Sequence, residues 1–128
     1  MQSSCILAIA LAVAGCGPVY VVQQPPPPAT QNGPFGAIAY SASTGQSSAS
    51  WGWATRELAE HNAVTTCGVR DCGAVAWVSS QCAAVAVDAA RRTSWGTDVR
   101  RAGAELAAMT ACSKRGRGCE VVRWVCSR

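Results

Sequence analysis

The chain is short of the side chains that chemistry ordinarily needs. It has one histidine, one lysine and seven carboxylates in 128 residues, and charged residues make up 14% and aromatics 6% of it. No paired Cys-x2-Cys or Cys/His spacing offers a zinc site, and neither a glycine-rich phosphate loop nor a dinucleotide fingerprint occurs. No apolar run reaches the roughly 20 residues of a membrane helix. Large side chains are scarce as well, because much of the 49% hydrophobic content is alanine. About 95 residues are left to fold once the N-terminal segments are set aside. A core of that size and composition is marginal and cannot enclose a large cofactor, so no cofactor is expected. What the chain does have is cysteine, eight in all.

The one long apolar run, Cys5 to Ala14, has the length of a signal-peptide hydrophobic region and ends in Val13-Ala14-Gly15-Cys16. That tetrapeptide resembles the bacterial lipobox, with small residues before a cysteine that takes a lipid. Residues 1–15 are therefore expected to be a lipoprotein signal peptide and Cys16 the lipid attachment point. Gly17 rather than Asp after the cysteine favours the outer membrane. Residues 16–34 carry Pro25 to Pro28, which favours extended polyproline II and reads as a tether. Residues 35–128 are the expected globular domain. The expected location is the cell envelope, lipid-anchored and facing the periplasm or the cell surface.

That domain contains two copies of one unit. Trp51 and Trp95 both sit in Ser-Trp-Gly. Arg56, Ala59, Glu60, Ala63 and Cys67 match Arg101, Ala104, Glu105, Ala108 and Cys112, and Trp77-Val78 matches Trp124-Val125. In each copy an alanine at i and i+4, then a cysteine at i+8, define one helix face, predicting helices over Trp53–Cys67 and Thr97–Cys112. Ala37–Tyr40, Ala74–Ser79, Ala84–Val87 and Glu120–Val125 have strand composition. The order is β-α-β twice.

Six cysteines fall in the domain: Cys67, Cys72, Cys82, Cys112, Cys119 and Cys126. In an exported domain they are expected to form three disulfides. The duplication makes Cys67–Cys72 and Cys112–Cys119 equivalent staples and leaves Cys82–Cys126 to join strand ends. A ferredoxin-like split βαβ fold, the alternative, would put those ends at opposite edges. If Ser41–Ser50 and Asp88–Ser94 run back along the sheet, the ends meet. The expected fold is thus α+β: a disulfide-stapled four-stranded antiparallel sheet with two helices on one face, built from the two tandem repeats.

The series Ala-Ile-Ala-Tyr-Ser, Ser-Trp-Gly, an alanine helix ending in Cys67, Cys72-x2-Val-x-Trp-Val and a closing Cys126 resembles the family catalogued as domain of unknown function 4189, from about Phe35 to Cys126. The resemblance implies a small exported bacterial protein, anchored or secreted. It carries no settled activity and no catalytic residues to transfer.

No catalytic set emerges. His61 has Leu106 as its counterpart and lies opposite the alanine face, and no motif places an Asp or Ser beside it. Arg56–Glu60 and Arg101–Glu105 are spaced as helix-surface ion pairs. Trp51, Trp77, Trp95 and Trp124 recur in both copies and are expected in the core, whereas Trp53, with Thr97 as its counterpart, is the candidate exposed contact. Charge is uneven: Ser50 to Ala90 holds two arginines against four carboxylates, and Arg91 onward holds nine basic residues against three acidic. Arg91, Arg92, Arg100 and Arg101 are the candidate partner contacts, since arginine suits bidentate partners. The expected function is a non-enzymatic, lipid-anchored envelope binding module. Its partners would be the membrane, through the N-terminal lipid, and an unknown protein or anionic envelope component, with no nucleic acid. An envelope structural factor touching peptidoglycan or lipopolysaccharide, and an enzyme of unknown type, are the alternatives.

Overall fold

The computed structural model describes residues 32–128. The expected signal peptide, Cys16 and most of the tether lie outside them. The elements are β1 (Phe35–Tyr40), β2 (Ser47–Trp53), α1 (Arg56–Cys67) and β3 (Gly73–Ser79), then β4 (Cys82–Val87), β5 (Thr93–Asp98), α2 (Arg101–Ser113) and β6 (Glu120–Cys126). Each repeat is therefore ββαβ, and each makes its own antiparallel sheet, in the order β2-β1-β3 and β5-β4-β6.

Period-two alternation in the two central strands assembles these pieces. In β1, Ala37 and Ala39 pack with Ala59, Ala63 and Cys67 of α1, while Ile38 and Tyr40 face the other way. In β4, Cys82, Ala84 and Ala86 pack with Ala104, Ala108 and Cys112 of α2, while Ala83, Val85 and Val87 face the other way. The second set from each strand meets in a common core with Val78 and Val125. The layers are α1, first sheet, second sheet, α2. Alanine on both strand and helix lets each helix lie close to its sheet. The larger Ile, Val and Tyr fill the space between sheets.

Three features correct the expected architecture. There are six strands in two sheets rather than four in one, so the ferredoxin-like alternative falls too. The helices cover opposite outer faces rather than one face. They also begin later than expected, at Arg56 and Arg101, because Ser47–Trp53 and Thr93–Asp98 are strands. Polarity hid β2. Its buried Ser48 and Ser50 donate their hydroxyls to the carbonyls of Ala63 and Ala59 on α1, the latter at 2.6 Å, so serine does the inward-facing task of an apolar residue.

Cys67–Cys72 ties the end of α1 to the start of β3, and Cys112–Cys119 ties α2 to β6 in the same way. Cys82–Cys126 lies wholly within the second repeat, where the two residues are register partners across β4 and β6 with Cα atoms 3.9 Å apart. Thr55 caps α1, its hydroxyl accepting from Leu58 N–H at 3.1 Å, and Gly68 ends the helix in a left-handed conformation.

Candidate functional site

The seam between the repeats, where β2 of the first sheet runs beside β6 of the second, gathers two of the three exposed tryptophans. Trp51 on β2 is 63% exposed and Trp124 on β6 is 39% exposed. Between them lies an open cleft of about 430 Å³, lined by Ala49, Trp51, Arg123, Trp124, Val125 and Cys126. Arg123 bridges the seam, donating from Nε to Ser47 Oγ at 3.0 Å and from Nη2 to the Ser47 carbonyl at 2.9 Å. Gly52 N–H donates to Ser127 Oγ at 3.0 Å and closes the seam further along.

The recurring tryptophans do not fill the core as expected. Trp95 is 41% exposed, and Trp77 is half-buried under Arg56, whose guanidinium carbon stands 4.6 Å from the ring centre. Arg101 sits over Trp124 in the same way at 4.0 Å. Each arginine also donates from Nε to the glutamate four residues on, Arg56 to Glu60 and Arg101 to Glu105, both at 3.0 Å. A Trp-Arg-Glu stack thus stands on the outer edge of each repeat. Cation–π attraction holds the guanidinium over the ring, so both stacks serve architecture first.

Trp53 is half-buried among Phe35, Val64, Cys72 and Trp77 against the α1 layer. The register of β1 and β2 shifts between Phe35 and Ala37, next to Gly52 at φ +82°, and this turns Trp53 inward. The exposed aromatic of that strand is Trp51. Reading Ser47–Trp53 as a strand would have identified it, since Ser48 and Ser50 share the helix side and Trp51 falls on the other.

The four candidate arginines do not form one patch. Arg91 and Arg92 lie in the β4–β5 turn, and Arg100 and Arg101 follow the far end of β5, roughly 20 Å away along a six-residue strand. The cations that do join Arg91 and Arg92 come from the α2–β6 loop: Arg92 Nη2 donates to the Arg115 carbonyl at 3.1 Å. Arg91, Arg92 and Arg115 line one hollow of about 420 Å³ with Tyr40, Asp71 and Thr93.

Two carboxylates organise this end. Asp88, 5% exposed, accepts at Oδ1 from the N–H groups of Ala90 and Arg92 and at Oδ2 from Arg92 Nε, each at 2.9 Å. The Arg92 backbone bond, more than any other contact, holds its pKa below the ordinary 3.8. Asp71 accepts from buried Ser41 Oγ at 2.5 Å and from Ser43 N–H at 3.0 Å, and the Ser41 hydroxyl chiefly holds it below the same value. His61 is exposed on α1. Among the described residues no three His, Cys, Asp or Glu side chains gather as metal ligands, and no helix is long and apolar enough to cross a membrane.

Fold and site together define a duplicated, disulfide-stapled α+β domain with an aromatic cleft at the junction of its repeats. Residues 35–126 match the family described as a domain of unknown function, DUF4189, and the chain belongs to that family. The NMR structure of Rv1813c from Mycobacterium tuberculosis is similar to it, at 28% identity and a TM-score of 0.51, over 93% of this chain and 98% of that one. No curated protein matches it.

Proposed function

We propose that the protein is a lipid-anchored, non-catalytic binding module of the cell envelope, which holds a protein partner in the cleft between Trp51 and Trp124. The observation that carries this reading is the exposure of Trp51. In a chain whose core is largely alanine, the largest side chain stands in solvent beside an apolar cleft. Burying one tryptophan of that kind contributes on the order of 2–3 kcal/mol to an interface. Arg123 borders the cleft and supplies directional donors to a partner carbonyl or carboxylate. Export is supported by the apolar run that ends in Gly15-Cys16 and by the disulfides.

The test is capture from an envelope extract with the oxidised chain and with its Trp51→Ser variant, bound protein being identified by mass spectrometry. One stoichiometric protein held by the wild type and lost with Trp51→Ser, at unchanged thermal stability, is the expected result. Equal capture by both chains removes the cleft from the proposal. Sedimentation with purified sacculi in place of protein capture transfers the role to wall binding.

A further inference from the structure

We infer that Arg91, Arg92 and Arg115 form an oxyanion site for a phosphate group at the end of the domain marked by the β4–β5 turn, sharing no residue with the tryptophan cleft. The hollow they line is walled by both repeats: Tyr40, Asp71 and Val75 come from the first, the arginines and Thr93 from the second. Each guanidinium is fixed by part of its donor set and has the rest to offer. Arg91 Nη1 donates across the repeat boundary to the Ala42 carbonyl at 2.9 Å, and Arg115 Nη1 donates to the Thr93 carbonyl at 2.9 Å. Arg92 uses Nε on Asp88 and Nη2 on the Arg115 carbonyl. Fixing an arginine beforehand lowers the entropy cost of closing it on a ligand.

Charge at this end is not balanced. Among the described residues Arg92 has a carboxylate within ion-pair distance, but Arg91 and Arg115 have none. The Asp71 carboxylate is taken up by Ser41 and Ser43 rather than by an arginine. Three guanidinium groups thus face two carboxylates, and Lys114 and Arg117 add positive charge from the same loop. Arginine forks on several sides of a hollow suit the tetrahedral oxygens of phosphate better than a planar carboxylate, which one fork satisfies.

The backbone at Arg91 points the same way. Its φ is +64°, where glycine would sit without strain, yet an arginine occupies it and turns its side chain across the repeat boundary. This also supplies a clean variant. Arg91→Gly removes the charge and relieves the backbone, which offsets the loss of its bond to Ala42, so it should fold about as well as the parent.

Pyrophosphate and inorganic phosphate would be titrated into the oxidised full chain, following the arginine Nε–H resonances by NMR. Saturable shifts at Arg91 and Arg115 are expected. Binding should weaken roughly ten- to a hundredfold in Arg91→Gly and in Arg115→Gln, and stay unchanged in Arg100→Gln, beyond the far end of β5. Vesicles containing phosphatidylglycerol, bound by a Cys16→Ser chain and released by Arg91→Gly, would assign the phosphate to a lipid headgroup. Pyrophosphate binding without vesicle binding would assign it to a soluble phosphate. No saturable shift, equal shifts with acetate, or wild-type affinity in both arginine variants would overturn the site.

Discussion

In the first repeat Phe35 stands opposite Ser79 where β1 begins and β3 ends. In the second, the same register position holds Cys82 opposite Cys126, and the pair is covalently closed. The turns after the central strands differ in a parallel way. Ser41 donates to a carboxylate from a distant loop, Asp71, whereas the residue at its place in the second repeat, Asp88, is itself the carboxylate and collects the donors of its own turn. The two Ser-Trp-Gly motifs diverge as well. Gly52 is needed for its φ of +82°, while Gly96 is needed for space, since a Cβ there would meet Ala107 Cβ at 2.4 Å and the Ala108 nitrogen at 2.6 Å. Duplication thus kept the path of the chain and left each half to satisfy it with its own contacts. The half with more covalent closure is also the half with the arginines.

The strongest way to break this asymmetry is to remove what only the second repeat has. Cys82→Ser with Cys126→Ser opens a loop spanning 44 residues and should cost about 4 kcal/mol, against about 2 kcal/mol for Cys67→Ser with Cys72→Ser, which closes five. Urea unfolding measures both, and hydrogen exchange at the ends of β4 and β6 should then rise to the level at β1 and β3. Equal losses would mean that the two halves do not differ in this respect.

A smaller effect separates the two glycines. Gly96→Ala forces α2 off its sheet and should cost about 3 kcal/mol, while Gly52→Ala pays only for a left-handed backbone, about 1 kcal/mol. The difference in melting temperature between these variants checks the distinction, and reversed order would refute it.

The mildest test is acid. Asp71 and Asp88 both titrate below 3.8 in the folded chain, so the stability they confer is present above the ordinary carboxylate range and is lost as pH falls through their lowered values. The urea midpoint should fall as pH drops below the ordinary carboxylate value of 3.8 and through the lowered ones, and Asp71→Asn and Asp88→Asn should each flatten part of that fall. If only one does, the two turns are not alternative solutions to one problem.

The legible part of the fold was the part made of alanine and valine. Ala59, Ala63 and Cys67, with Ala104, Ala108 and Cys112, mark both helices by spacing, and four strands carry β-branched or alternating residues. β2 and β5 escaped because Ser48, Ser50 and Ser94 occupy their buried positions, which erases the hydrophobic alternation that a strand ordinarily shows. Missing those strands merged two sheets into one and misplaced the tryptophans. Trp51 stands outside because its strand lies on an edge, and Trp53 turns inward because of a register shift beside Gly52. Neither is visible in residue type. The basic character of the second repeat was plain from composition. Which arginines meet depended on β5, whose length parts Arg92 from Arg100.

One small contact set reaches beyond these questions. Gly33 N–H donates to the Gly52 carbonyl at 3.0 Å, and Gly52 N–H donates to Ser127 Oγ at 3.0 Å. Both termini of the folded domain therefore rest on the same residue, no more than about 10 Å apart by chain geometry. A few added residues could join them, and new ends could be opened between Ser80 and Gln81, where only two residues link β3 to β4. Such a circular permutant, with its second half now first, would keep every disulfide and both sheets. The domain has a covalent order but no required starting point.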